Sequence, residues 1–227
     1  MIKSQFHEKV ALVLSFLILS NYLFLSLSLS QIIIKINFLC FLIVILFFYI
    51  KNFSENIYLK IFFILIIIIS LGTVTFDWDP RSIWLFHGKR IFYDQSILSI
   101  ADNYASFSHN DYPNLVPALS SSLANLFGYW NEIFPKISFS LMFLPPLILT
   151  YTFLKNEKYL IFLSLVFFFI GKQLFNGWAD GLVAIYFCLS AFLMYILFID
   201  QGKIKISLLH YLLAFCFFVS LTLIKNE

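Results

Sequence analysis

The sequence carries little charge. Only 12% of its 227 residues are Asp, Glu, Lys or Arg, whereas 61% are hydrophobic, and the mean hydropathy is +0.92. Soluble domains average about 25% charged residues, so this composition excludes a soluble globular protein and predicts an all-α integral membrane protein. The net charge of +3 is small and scattered along the chain. A nucleic-acid partner needs a basic patch or stripe, so we predict no nucleic-acid binding.

Cysteine is scarce as well. Cys40, Cys188 and Cys216 are the only cysteines, and each lies inside an apolar run. An isolated cysteine in such surroundings behaves as a small hydrophobic core residue. We therefore expect neither a disulfide nor thiol chemistry.

Long apolar runs dominate the chain instead. The first, residues 10–34, is longer than the roughly 7–15 apolar residues of a signal peptide and has no clear cleavage site, so we interpret it as a retained span. A spanning helix needs about 20 apolar residues. We predict one transmembrane domain over residues 1–227, with about seven spans at 10–30, 33–50, 61–76, 137–154, 159–175, 181–199 and 206–224. Pro145 and Pro146 predict a kink in the fourth.

A long polar loop, residues 77–136, separates the third and fourth predicted spans. It is predicted to hold a short helix at about 80–93. A second segment, 115–130, is uncharged but rich in Ser, Ala and Asn. We predict that this segment forms an amphipathic helix lying on the membrane interface.

The basic residues predict the orientation, because cytoplasmic loops are enriched in Lys and Arg. With the N-terminus in the cytoplasm, every cytoplasmic connection carries a pair of lysines: Lys3 and Lys9, Lys51 and Lys60, Lys155 and Lys158, and Lys203 and Lys205. The loop 77–136 then lies on the extracytoplasmic face of the cell membrane, as do Lys172, Asp180, Lys225 and Glu227. If residues 115–130 crossed the membrane, those four would lie on the other face.

Two carboxylates, Asp77 and Asp79, stand where the third span meets water. Paired carboxylates at a membrane surface can hold a divalent cation or act as a general base. Asp79 precedes Pro80, and Asp at an N-cap followed by Pro is typical of a helix start, so Asp79 also fits a capping role. Asp77 has no such role and is the stronger candidate base on local grounds, with a solvated helix end as its alternative.

Basic and aromatic residues follow the aspartates. Arg81, Lys89 and Arg90 can bind a lipid-linked phosphate through charge-assisted bonds, although lipid headgroup binding without chemistry explains them equally. His87 alone does not indicate a metal. Trp84 fits either the aromatic belt of a membrane interface or a sugar contact.

Further candidates lie near span ends. His109, Asp111 and Tyr112 belong to a Pro-bounded turn that leads into the next helix, and they fit either a plain loop or a substrate contact. Asp180 heads the sixth span and also fits a helix cap. Lys225 and Glu227 also fit the end of the last span.

The order of the short motifs resembles a known family. The motifs are Trp78-Asp79 followed by Trp84, Lys89-Arg90, Tyr112-Pro113-Asn114-Leu115-Val116-Pro117, Gly177-Trp178-Ala179-Asp180 and Lys225-Asn226-Glu227. They resemble the membrane part of GT-C glycosyltransferases, which use polyprenyl-phosphate sugars and are related to protein O-mannosyltransferases and lipid A aminoarabinose transferases. The resemblance covers residues 70–227. Trp178 stands where the similar branch has Tyr, and three predicted spans precede the acidic loop where the simplest members have one.

This resemblance implies a glycosyltransferase that moves a sugar, with inversion, from a polyprenyl-phosphate donor to a lipid, glycan or protein acceptor. Asp77 or Asp79 is implied as the catalytic base, and Lys89, Arg90 and Lys172 are implied as ligands of the donor phosphate. The residues assigned to substrate binding are Arg81, Trp84, Lys89, Arg90, His109, Asp111, Tyr112, Lys172, Asp180, Lys225 and Glu227. Whether the reaction uses Mg²⁺ or Mn²⁺ stays open, with Asp77 and Asp79 as the candidate ligands of such a cation.

Two other functions stay open. A transporter or flippase of lipid-linked saccharides is typically built with charges in mid-membrane and internal repeats, whereas here the charges cluster at span ends and no repeat is visible. A non-catalytic membrane assembly subunit is the other alternative. The end at Lys225-Asn226-Glu227, directly after a span, predicts either an N-terminal fragment of a longer enzyme or a short gene product.

Overall fold

The computed structural model describes residues 2–51, 57–75, 77–98, 108–154, 177–198 and 206–225. Across these residues the chain is helical and contains no strand, which confirms the all-α class for this part of the protein. The elements are α1 (Ile2–Ser26), α2 (Gln31–Ile50), α3 (Ile57–Gly72), a π-helical segment (Pro80–Trp84) continuing into α4 (Leu85–Asp94), α5 (Leu115–Phe127), α6 (Ile137–Leu154), α7 (Asp180–Phe198) and α8 (Leu208–Ile224).

Four of these helices are long and apolar enough to cross a membrane, namely Phe6–Ser26 within α1, α2, α6 and α7. As candidate membrane helices, they match four of the predicted spans in position. Helices α3 and α8 have 16 and 17 residues, fewer than the roughly 20 that a span needs, so their spanning role stays a prediction. The predicted span 159–175 lies outside the described residues, as do the predicted site residues Lys172 and Glu227.

Large apolar side chains cover the outside of the helices. In water, an apolar surface of this extent marks an interaction or aggregation site, whereas in lipid it is the normal outer face of a span. Together with the four apolar helices, it indicates a membrane protein. Cys40 and Cys188 are also exposed on this surface, contrary to the expected core position, whereas Cys216 is buried. Residues more than 60% exposed include Phe16, Ile43, Ile50, Phe187 and Phe215.

At one end of the helix bundle, called the Asp77 end here, several connections meet. Lys136, just before α6, donates a hydrogen bond to the carbonyl oxygen of Thr73, just after α3. Lys225, just after α8, forms an ion pair with Asp180 at the start of α7. The end of α3 therefore lies beside the start of α6, and the start of α7 lies beside the end of α8. A hydrogen bond from Trp178, just before α7, to Asp77, after α3, joins the two pairs.

At the opposite end, called the Glu8 end here, the other helix termini meet. Glu8, in the early part of α1, lies 4.0 Å from Nε2 of His210 in the first turn of α8. Lys60, in the first turn of α3, donates a hydrogen bond to the carbonyl oxygen of Tyr49 at the end of α2. Helices α1, α3 and α8 therefore run in the same direction, from the Glu8 end to the Asp77 end.

Helix α5 lies inside the bundle, so the predicted interfacial helix is wrong. All of its residues from Leu115 to Asn125 are buried, and it packs against α1, α2, α4, α6 and α8. Small side chains let helices approach closely, and their hydroxyls can bond across the contact. Asn21 of α1 donates to Ser122 Oγ at 2.9 Å, and the hydroxyls of Ser120 and Ser138 are 2.6 Å apart. The polar residues of α5 therefore serve neighbouring helices instead of a membrane surface.

The turn between α1 and α2 supports α4. Helix α1 ends at Ser26, four residues before the predicted end, because the chain turns sharply with a φ of 51° at Ser28. Ser28 Oγ lies 3.2 Å from Ser96 Oγ, just beyond α4. Apolar contacts join Leu25 and Ile34 to Ile91 of α4. Helix α4 is therefore fixed on the Asp77 end of the bundle.

A glycine lets α4 cross α5 closely. A Cβ atom at Gly88 would lie 3.0 Å from the Trp130 ring and 3.1 Å from Cβ of Ser120. Both distances are shorter than ordinary van der Waals contacts, so a side chain here would push its neighbours apart, and the crossing favours glycine. Helix α6 continues through Pro145 and Pro146, and both prolines are buried.

Candidate functional site

Asp77 is connected to a distant part of the chain. Nε1 of Trp178 donates a hydrogen bond to Oδ2 of Asp77 at 3.2 Å, and 101 residues separate the two in sequence. Asp77 follows α3, and Trp178 precedes α7. Both side chains are half-buried. The segment leaving α3 and the segment entering α7 therefore meet at the predicted catalytic residue.

The approach of the second segment depends on Gly177. Its φ of +96° lies in the left-handed region that favours glycine. A Cβ atom there would lie 3.2 Å from Cβ of Pro80 and 3.5 Å from the ring of Phe139. The turn at Gly177 is therefore seated against the start of the π-helical segment and against α6.

Asp180 and Lys225 form an ion pair at the same end of the bundle. Nζ of Lys225 is 3.1 Å from Oδ1 of Asp180, and it lies 5.7 Å from the centre of the Tyr112 ring. Asp180 is the first residue of α7, where the helix dipole favours a negative charge. The pair joins the start of α7 to the end of α8 beside the loop that carries Tyr112.

Trp84, Tyr112 and His109 form an aromatic column. The Trp84 and Tyr112 ring centres are 5.8 Å apart at 30°, and those of Tyr112 and His109 are 4.7 Å apart at 21°. Trp84 is buried, Tyr112 is half-buried and His109 is exposed, so the column runs from the core to the surface. His109 has a φ of 52°, an uncommon conformation for a residue with a side chain. Such strain concentrates at functional sites.

The predicted basic residues are divided between surface and core. Arg81 and Lys89 are exposed, as is the acidic Asp111 of the following loop. Arg90 is buried, and its Nη2 donates a hydrogen bond to the carbonyl oxygen of Ile97 at 3.0 Å. Ile97 packs with the α1–α2 turn. The hydrogen bond from Arg90 to Ile97 thus stabilises the end of α4, whereas the charged side chains of Arg81 and Lys89 lie on the surface.

The predicted capping role of Asp79 is wrong. Its backbone is helical, with φ −57° and ψ −49°, and its side chain makes no capping hydrogen bond. The helical stretch already begins at Trp78, so Asp79 lies within the first turn and not before it. An N-cap residue has non-helical backbone angles. Asp79 therefore stays a candidate for chemistry beside Asp77.

Asp77 and Asp79 are the candidate ligands for a divalent cation. Within the part of the chain that the structure describes, no group of three or more His, Cys, Asp or Glu side chains could hold a metal ion. Mg²⁺ is typically bound by one or two carboxylates together with substrate phosphates. The described residues thus fit a cation only when donor phosphates complete the ligand set. The cation stays a prediction, and the reaction proposed below uses none.

Two residues at the Asp77 end were not assigned to the site from the sequence. Trp178 occurs in the Gly177-Trp178-Ala179-Asp180 motif, and that motif was the available signal. Lys136 is buried, with 1% of its surface exposed, and burial lowers the pKa of its ammonium group. A single lysine at the start of an apolar run gives no signal of its own, because such residues usually end in water.

In comparisons with protein-family models, with curated proteins and with solved structures, the chain gives no significant match. The likeness to GT-C glycosyltransferases therefore rests on the short motifs alone. In space, Asp77 meets Trp178, and Lys225 meets both Asp180 and Tyr112. Residues from several of the motifs are thus brought together at one end of the bundle.

Proposed function

We propose that this chain is the membrane part of a GT-C-type glycosyltransferase acting at the Asp77 end. It moves a sugar from a polyprenyl-phosphate donor to a lipid, glycan or protein acceptor on the extracytoplasmic side. One observation supports this most strongly: a carboxylate, an aromatic column and an ion pair from distant stretches converge at one end of an apolar bundle.

The donor chemistry fits the location. A polyprenyl chain partitions into the bilayer, and its phosphate and sugar stay at the membrane surface. A site for such a donor has to lie where spans end. Asp77 follows α3 after a short connection, and Lys225 and Asp180 lie at the ends of α8 and α7.

Asp77 is proposed as the general base. Its carboxylate accepts the proton of the acceptor hydroxyl while the acceptor oxygen attacks the anomeric carbon of the sugar. The bond between that carbon and the phosphate oxygen breaks, and its electron pair leaves with the polyprenyl phosphate. A new glycosidic bond forms with inverted configuration. A positioned general base contributes about 10²–10⁴-fold to a rate.

The neighbouring groups are proposed to bind the two halves of the donor. Rings of the aromatic column, which reach the surface at His109, are available to pack against a sugar. Lys225 and the exposed Lys89 are proposed to offset the charge of the leaving phosphate, because preorganised cations stabilise charge that develops in a transition state. Asp180 holds the Lys225 ammonium in place before the donor arrives.

The test is transfer of labelled sugar from polyprenyl phosphate in membranes that carry the full chain. Asp77→Asn and Asp79→Asn are measured singly, with membrane insertion checked for each. The matched control is Asp94→Asn, which neutralises an exposed carboxylate of the same loop and is expected to keep full activity. Unchanged transfer by both Asp77→Asn and Asp79→Asn rules the proposal out. Movement of the lipid-linked saccharide across vesicles without any transfer product supports a flippase instead.

A further inference from the structure

We propose that Trp178 is a positioning residue for Asp77, and that Gly177 is what allows it to reach that carboxylate. This inference rests on the proposed role of Asp77 as the base. Its basis is the hydrogen bond from Trp178 Nε1 to Asp77 Oδ2 at 3.2 Å, together with the close seating of Gly177 on Pro80.

The chemistry of the indole suits this task. Its N–H group donates and has no acceptor atom, so it cannot take the proton that a general base must collect. The terminal torsion angle of an aspartate side chain has a broad distribution, so an unsupported carboxylate can rotate. A general base, in contrast, has to hold one oxygen within hydrogen-bond reach of the acceptor hydroxyl. A donor fixed on Oδ2 sets the plane of the Asp77 carboxylate.

The indole itself is held firmly. Gly177 has the left-handed φ of +96°, which favours glycine, and a Cβ atom there would lie 3.2 Å from Cβ of Pro80, tighter than an ordinary contact. Ala179, on the other side of Trp178, is only 1% exposed. The backbone on both sides of Trp178 is therefore fixed against the elements that flank Asp77.

Trp130 provides a matched contrast. It also lies at the Asp77 end and packs its ring against Gly88. Its Nε1 is buried and finds no hydrogen-bond acceptor among the described residues. Replacing Trp by Phe thus removes a bonded N–H at position 178 and an unbonded N–H at position 130, while a large aromatic ring is kept at both.

The experiment compares Trp178→Phe, Trp178→His and Trp130→Phe in the transfer assay, with the full chain in membranes. Loss of a hydrogen bond to a charged group is expected to lower kcat of Trp178→Phe by about tenfold or more, with KM within about twofold. Trp178→His is expected to recover part of that loss, because Nε2 of the imidazole occupies the ring position of the indole Nε1. Trp130→Phe keeps the wild-type kcat.

Equal kcat values for Trp178→Phe and the wild type, or for Trp178→Phe and Trp178→His, would overturn the inference. A second readout does not depend on activity. The intensity of the vibrational band from hydrogen-bonded indole N–H groups is expected to fall by the share of one tryptophan in Asp77→Leu relative to the wild type. An unchanged band also overturns it. An inactive Asp77→Asn beside a fully active Trp178→Phe refutes the positioning role alone, whereas active Asp77→Asn and Asp79→Asn refute the proposed function.

Discussion

The two ends of the bundle use polar residues differently. At the Glu8 end, Glu8, Lys60 and His210 are all less than 9% exposed, and their described contacts join one helix to another. At the Asp77 end, Asp77 and Tyr112 are half-buried, and the Asp180 side chain is 49% exposed. A polar group that is closed inside a helix contact contributes to assembly, whereas a partly open group can meet a substrate. On this comparison we propose that chemistry takes place at the Asp77 end, whereas the contacts at the Glu8 end hold the helices together.

Neutralising Asp77 is expected to have the largest effect on the sugar-transfer rate. Asp77→Asn keeps the shape of the side chain but cannot accept the acceptor proton. We expect the rate of sugar transfer to fall by about 10²–10⁴-fold, with normal membrane insertion. The measurement is single-turnover transfer from polyprenyl-phosphate sugar in membranes. A loss of less than tenfold would move the catalytic assignment to Asp79.

The second-largest effect is expected from adding a side chain at the close crossing of α4 and α5. Gly88→Ala places a methyl group 3.0 Å from the Trp130 ring, and overpacking of this kind costs about 1–3 kcal/mol. We expect a lower thermal unfolding temperature in detergent, together with reduced transfer, since α4 carries Lys89 and follows Trp84. A Gly72→Ala variant is the control, because a Cβ there meets nothing within 4 Å. Equal stability of the two variants would contradict the close crossing.

Changing the Glu8 end is expected to affect stability without affecting turnover. Glu8→Gln removes the charge that faces His210 at 4.0 Å while keeping the size of the side chain. We expect a loss of about 1 kcal/mol in unfolding free energy, in the range of a single buried polar contact, and an unchanged transfer rate per folded molecule. Thermal unfolding and transfer are measured on the same membranes. A strong loss of turnover would place chemistry at both ends.

The smallest expected effect concerns Lys136. Burial lowers the pKa of its ammonium below the ordinary 10.5. Between the folded pKa and 10.5, the unfolded chain binds a proton that the folded chain has lost, so the fold gains stability as pH rises through this window. Lys136→Met is expected to remove that part of the pH dependence. The measurement is the unfolding temperature of both proteins across the alkaline range, and identical pH profiles would contradict the lowered pKa.

The apolar helices were predictable because the bilayer sets their length. Helix α6 matches its predicted span, and α7 differs from its own by one residue at each end. The error at α5 has a physical cause: its serines suit an interface, yet they bond to Asn21 and Ser138. The hydropathy of the α5 sequence gives no information about these partners, because they belong to other helices. Burial among helices is a property of the whole bundle.

The candidate site residues were selected from the sequence and stay a prediction, whereas the contacts between them were found only in the structure. The order of the motifs along the chain selects Asp79, Tyr112, Asp180 and Lys225, whereas Asp77 was selected on local grounds, because it has no capping role. The bond from Trp178 to Asp77 spans 101 residues, and no local pattern encodes such a distance. Arg90 was grouped with Lys89 by sequence, although neighbours on a helix point in different directions. Its described bond is to Ile97.

Helix α1 contacts α2, α5, α6 and α8, and this arrangement has a consequence for biosynthesis. Helix α1 is made before partners that come much later in the chain, with residue 122 bonding to Asn21 and residue 210 facing Glu8. Until then its polar side chains have to be tolerated by the insertion machinery or by lipid. The contacts between α1 and α8 can therefore form only after α8 has been made.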